Sequence, residues 1–138
     1  MPLLFVYGSL KQGFANEHVN GGVRLAGSYR TCQLLPMYLL GDGHVPCIVH
    51  TPGTGHHVIG EVYEVTQESL VAMDRLERLG EPGGYERVAI EVESVGGPGR
   101  GSLTAFVYVK AESEVPAGTE RIGPLAEYTH AHARNFRW

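Results

Sequence analysis

Tyr85-Glu86-Arg87-Val88-Ala89-Ile90-Glu91-Val92-Glu93-Ser94-Val95 and Ser102-Leu103-Thr104-Ala105-Phe106-Val107-Tyr108-Val109-Lys110 are rich in β-branched and aromatic residues. Only Gly96-Gly97-Pro98-Gly99-Arg100-Gly101 separates the two runs. The pattern predicts two paired strands joined by a flexible hairpin loop. The loop has the composition of a phosphate cradle. No helix follows it, however, and a cradle needs the exposed N–H groups of a helix start.

Working outward, Leu3 to Tyr7 is a short continuous apolar run that suits a buried strand, stopped by Gly8-Ser9. Leu25 to Leu35 and Met37 to Leu40 read as strands interrupted by Pro36, Val45 to His50 as another, and His57 to Val65 as a longer one. Nineteen glycines and eight prolines, spread throughout, predict many tight turns between short strands. Two helices are expected. The first has Thr66 as N-cap and Glu68 in its positive first turn, and it runs to about Leu79 before Gly80. The second starts with Pro124 after Gly123 and carries Leu125, Tyr128, His132 and Phe136 on one stripe. Many strands, few helices and no regular alternation predict an α+β fold with a curled or barrel-like mixed sheet. No repeat or linker divides residues 1–138, so a single domain is expected.

Composition excludes several classes of function. Hydrophobic residues at 43% and charged residues at 19% are an ordinary globular balance. A net charge of −4 offers no electrostatic footprint for nucleic acid or an anionic membrane, so neither is an expected partner. No apolar run approaches the length that spans a bilayer. The opening residues lack the basic region of a signal peptide. With only Cys32 and Cys47, no disulfide framework is implied, and a reduced, cytoplasmic setting is expected. The sequence leaves the oligomeric state open.

Glu77 is the most informative position. At roughly 100° per residue, the first helix places Leu70, Met73 and Glu77 within about 60° of one another, with Leu76 beside them. Asp74, Arg75 and Arg78 are read as pointing elsewhere. A carboxylate on an apolar stripe is costly unless paired or protonated, and burial raises its pKa toward neutrality. A general acid/base at physiological pH requires that property. The plain alternative is a helix-end Glu paired with Arg87 or another Arg.

The second feature is Tyr7-Gly8-Ser9-Leu10 directly after the first strand. A sharp turn at Gly8 can aim consecutive backbone N–H groups at one point, as in an anion nest. Four residues lie between Gly8 and Gly13, but Phe14-Ala15 stands where a Walker motif requires Lys-Ser/Thr, so the nucleotide reading fails. Ser9 as a nucleophile lacks both a G-x-S-x-G context and an assigned His-Asp pair. Strand–Gly–Ser is also common turn chemistry. The histidines His44, His50, His56, His57, His130 and His132, with Cys47, do not share faces in ways that assemble a zinc site, and no fourth ligand can be placed.

Taken together, the motifs resemble a known family. Phe5-Val6-Tyr7-Gly8-Ser9-Leu10-Lys11, continuing through Gly13 to Asn16, resembles the opening signature of the γ-glutamylcyclotransferase superfamily. Met73-Asp74-Arg75-Leu76-Glu77, followed by Tyr85-Glu86-Arg87, resembles its second signature. Gly43-His44-Val45-Pro46, Pro52-Gly53-Thr54-Gly55 and Gly60-Glu61-Val62-Tyr63 are similar to its γ-glutamylamine cyclotransferase branch, and Gly123-Pro124-Leu125-Ala126-Glu127-Tyr128-Thr129 resembles the tail of some members. The likeness covers nearly the whole chain. It implies a mixed β-barrel with a few helices and no cofactor. It also implies that Tyr7, Gly8, Ser9 and Leu10 hold the α-carboxylate end of a small γ-glutamyl substrate, that Glu77 is the acid/base, and that Tyr85 and Tyr108 line the pocket. One departure stands out: many members carry Gly directly after the catalytic Glu, and here Arg78 follows.

The implied chemistry agrees with the residues that are missing. The substrate's own α-amine attacks its γ-carbonyl, so no catalytic Ser, Cys or metal is required. Orienting an intramolecular attack lowers a barrier by up to roughly 7–11 kcal/mol, and one carboxyl suffices to take and return the proton. Two alternatives stay open at this level: a non-catalytic binding module of the same fold, and a serine hydrolase working through Ser9.

Overall fold

The structure, a computed structural model, describes residues 2–14, 21–95, 101–134 and 136. Asn16 of the opening signature and most of the loop at 96–101 lie outside these residues.

Among the described residues, nine strands and two helices follow in chain order: β1 Leu3–Val6, β2 Val23–Arg24, β3 Ser28–Thr31, β4 Met37–Leu40, β5 Val45–Ile48, β6 Ile59–Glu64, α1 Gln67–Leu76, β7 Glu86–Val95, β8 Ser102–Val109, β9 Arg121–Leu125 and α2 His130–Ala133. A 3-10 turn spans Glu112–Glu114. The hairpin expected from the sequence is β7–β8, in register from Glu86 opposite Val109 to Glu93 opposite Ser102. It extends through β3 on one side and through β1, which runs parallel to β8, on the other. β6 pairs with both β3 and β1, so five strands in the order β1-β8-β7-β3-β6 close on themselves. This is the barrel-like mixed sheet expected. β2 extends the ladder on β6, and a separate three-stranded sheet has the order β5-β4-β9.

The barrel explains why β1 reads as a continuous apolar run. Successive side chains point to opposite faces. Phe5 and Tyr7 enter the barrel core with Tyr29, Met37, Val62 and Val107. Leu4 and Val6 face outward, where Leu70 and Met73 of α1 cover them together with Tyr63 and Tyr108. Both faces of the strand are buried, so neither tolerates polar residues.

Three boundaries differ from expectation. The run Leu25–Leu35 is not one strand. β2 ends at Arg24, the chain turns through Gly27 at φ +85°, and β3 occupies only Ser28–Thr31. Helix α1 stops at Leu76, with Glu77 as its C-cap, rather than at Leu79. The helix expected from Pro124 is instead β9, paired with β4, and only His130–Ala133 is helical. Proline suits either a first helical turn or an edge strand, and β9 is an edge, so its missing N–H leaves no ladder bond unmade.

Candidate active site

A pocket opens where β1 ends. Glu77, Tyr85 and Tyr108 line it together with all four residues of the turn, Tyr7, Gly8, Ser9 and Leu10. The seven residues singled out in the sequence therefore meet at one place, although they come from three separate regions of the chain. Val45 and Pro46 complete the wall. No histidine is among the described lining residues. Among the described residues no three His, Cys, Asp or Glu side chains gather as metal ligands would.

The turn is held from several directions. Lys11 N–H donates to Gly8 O at 3.0 Å. The Tyr7 hydroxyl donates to Tyr108 O at 2.8 Å and accepts from Ile48 N–H at 3.0 Å, tying β1 to β8 and β5. Tyr7 thus presents its ring to the pocket while its hydroxyl is engaged in the scaffold. Gly8 is glycine for a packing reason. A Cβ there would lie 2.7 Å from Pro46 Cγ, so the Val45-Pro46 segment and the turn need one another.

Glu77 sits where α1 gives way to the turn leading to β7. Its N–H donates to Met73 O at 2.9 Å, and its carbonyl accepts from Tyr85 N–H at 3.0 Å. Those bonds fix the two pocket residues relative to each other. Arg78 next to it adopts φ +56°, the left-handed region that favours glycine. Burial pushes the Glu77 carboxyl up to about 7, and the nearby Lys110 ammonium pulls against that rise. Burial likewise raises Tyr85 well above its ordinary value and pushes the Cys47 thiol beside it up to about 11. A carboxyl poised near neutrality can accept a proton and give it back at physiological pH.

Two expectations about the helix need correction. Arg87 does not pair with Glu77; its Nε lies 3.2 Å from Asp74 Oδ1. Asp74 does not point away either. It stands about 40° beyond Leu70 on the helix wheel, close enough to the sheet for Tyr108 Oη to donate to its Oδ1 at 2.7 Å. Asp74 thereby anchors Tyr108 and satisfies Arg87, leaving Glu77 without a guanidinium partner among the described residues.

Sequence reasoning missed Lys110, whose ammonium lies 4.8 Å from the centroid of the Tyr85 ring. A signal for it was present. Tyr108 and Lys110 are two residues apart at the end of a strand, so they share a face.

Comparison with known proteins points the same way as the geometry. The gamma-glutamyl cyclotransferase, AIG2-like family matches residues 4–129. The chain is 36% identical over 120 residues to gamma-glutamylaminecyclotransferase B of Danio rerio, covering 83% of this chain and 62% of that protein. It is 38% identical over 121 residues to gamma-glutamylaminecyclotransferase of Rattus norvegicus, covering 80% of this chain and 79% of that protein. It also resembles the crystal structure of an AIG2-like protein from Mus musculus, with a TM-score of 0.80 and 28% identity over 100% of this chain and 95% of the other.

Proposed function

The chain belongs to the gamma-glutamyl cyclotransferase, AIG2-like family, and from that premise we propose that it cyclises γ-glutamyl amines, including γ-glutamyl-ε-lysine, to 5-oxoproline and the free amine. The observation that carries this reading is the meeting of Glu77, with its carboxyl pushed up to about 7, and the Tyr7–Leu10 turn in one pocket. The turn holds the γ-glutamyl end, with Tyr85 and Tyr108 as walls. Glu77 takes a proton from the substrate's α-ammonium. The amine then attacks the γ-carbonyl, closing a five-membered lactam as the new C–N bond forms. The old amide C–N bond breaks as Glu77 returns that proton to the departing nitrogen, and the second proton shed by the attacking nitrogen ends on the released amine, which leaves as its ammonium. Atoms and charge balance without a cofactor. That the relatives are named gamma-glutamylaminecyclotransferases supports γ-glutamyl amines, rather than glutathione, as the substrate class of this chain. Two free cysteines, Cys32 and Cys47, fit a reducing, cytoplasmic setting, and no described helix is long and apolar enough to cross a membrane.

The test is release of 5-oxoproline from γ-glutamyl-ε-lysine, simple γ-glutamyl dipeptides and glutathione. Glu77→Gln keeps the shape and removes proton transfer, so kcat should fall on the order of 10²–10⁴-fold. Wild-type turnover by that variant would remove Glu77 from the mechanism. A clear preference for glutathione would change the substrate assignment and leave the chemistry in place.

A further inference from the structure

A second hollow of about 390 Å³ opens beside the pocket. The two share Val45, Glu77 and Tyr85 as their border. Leu40, Leu76 and Pro116 give the second hollow an apolar wall, and two cationic residues, Lys110 and Arg78, line it as well. The cations are not equivalent. Arg78 is exposed and already engaged, with Nε 3.9 Å from Glu81 Oε1 and Nη2 donating to Pro82 O at 3.3 Å. Lys110 is half-buried against the Tyr85 ring, and no carboxylate among the described residues forms an ion pair with it. Glu114, nearby in the chain, has its Oε2 taken by Gly83 N–H at 2.7 Å. The Glu77 carboxyl on the border feels the Lys110 charge but forms no ion pair with it, and an ammonium partly withdrawn from water and not paired to a carboxylate favours an anionic group in that cavity.

We propose that this hollow receives the amine portion of the substrate and that Lys110 selects a carboxylate on it. The inference rests on the reading of Glu77 as the group that protonates the departing nitrogen. If the γ-glutamyl end occupies the Tyr7–Leu10 side, the amine portion leaves across Glu77 and Tyr85, which is the border into the second hollow. Leu40, Leu76 and Pro116 then pack the methylene groups between nitrogen and carboxylate. Lys110 is a specificity-determining residue on this account, and Glu77 remains the proton carrier.

Two matched substrate pairs isolate the carboxylate. γ-Glutamyl-ε-lysine differs from γ-glutamylcadaverine only in that group, and γ-glutamylalanine differs from γ-glutamylethylamine in the same way. The carboxylated member of at least one pair should show a kcat/KM on the order of ten- to a hundredfold higher, carried mainly by KM. Lys110→Met should bring that ratio close to one, and Lys110→Arg should keep most of it. Loss of the field on Glu77 would instead slow all four compounds alike. A ratio that survives Lys110→Met overturns the proposal. So does the absence of discrimination in both pairs by the wild-type protein, a measurement that needs no variant to fold. Failure of all four compounds to yield 5-oxoproline would overturn the cyclotransferase reading itself, and this inference with it.

Discussion

Glu77 is held in a state that favours its proposed chemistry over the stability of the fold. Its carboxyl pKa rises from an ordinary 4.5 to about 7 on folding, so the folded protein binds the proton more tightly than the unfolded chain does. Stability is therefore fully present below about pH 4.5 and is lost as pH rises through about 7. Glu77→Gln removes that loss. The variant should be more stable than wild type at pH 8 by about 1–3 kcal/mol, with the gap closing toward pH 4.5. Urea unfolding at both pH values measures it, and a gap unchanged by pH would mean that the carboxyl is not desolvated. The turn makes a second prediction at this scale. If it recognises substrate through its backbone, Ser9→Ala should change kcat/KM by less than about tenfold. Gly8→Val should be far more damaging, and the reason is space rather than dihedral freedom, because Pro46 Cγ stands 2.7 Å from the new Cβ. Gly8→Ala, which meets the same proline without β-branching, should also cost about 1–3 kcal/mol. A Gly8→Ala protein as stable as wild type would show that Pro46 yields, and a covalent adduct on Ser9 during turnover would replace the whole scheme.

At the scale of elements, the segment between α1 and β7 brings the site together, and the departure from the family pattern falls there. Arg78 adopts φ +56°, a conformation that disfavours residues with a Cβ by about 1–2 kcal/mol. Many members of the family place glycine after the catalytic Glu, and the geometry supplies the reason. Arg78→Gly should relieve the strain and stabilise the protein by about 0.5–1 kcal/mol after glycine's own entropy loss. Arg78→Ala keeps the strain and loses the exposed ion pair with Glu81 and the hydrogen bond to Pro82 O, both of which Arg78→Gly loses as well, so it should not. Equal melting temperatures for the two variants would refute the strain argument. The same segment shows what was legible in the sequence. Helical periodicity put Glu77 beside Leu70 and Met73, yet it could not reveal that the helix ends at Leu76, three residues before the expected Leu79. That ending is set by tertiary bonds such as Tyr85 N–H to Glu77 O. The same wheel puts Asp74 about 40° from Leu70, but its partner is Tyr108 of β8, over thirty residues on, which periodicity within a helix cannot name. The β7–β8 hairpin was legible because alternation and turn composition are local. β9 was not. Gly123-Pro124 satisfies the rules for a helix start and for an edge strand alike, and only pairing with β4 decides between them.

For the whole molecule, the decisive contact is the closure of the barrel between β1 and β6. The pocket depends on it, since β1 runs directly into the Tyr7–Leu10 turn and is paired on its other edge with β8, which carries Tyr108. Gly60 of β6 is the point of closest approach: a Cβ there would lie 2.3 Å from Val6 O and 2.8 Å from the Phe5 ring. Neither neighbour can give way easily, because one is backbone and the other is packed in the barrel core. Gly60→Ala must then push β1 off β6 and move the turn with it. We expect a loss of about 2–4 kcal/mol in unfolding free energy, as for other overpacked or cavity-forming core changes. Where the variant is still folded, at low temperature, KM should rise because the turn no longer faces Glu77 correctly. Gly27→Ala is the control. Gly27 has φ +85° but no atom within 4 Å of the added methyl, so the variant should lose only about 1 kcal/mol of stability to backbone strain and leave KM alone, since Gly27 is not among the described lining residues. Denaturant midpoints with unchanged m-values separate the two effects. If Gly60→Ala proved no more destabilising than Gly27→Ala, the β1–β6 seam would be compliant. The barrel would then not be what holds the turn and Glu77 in register.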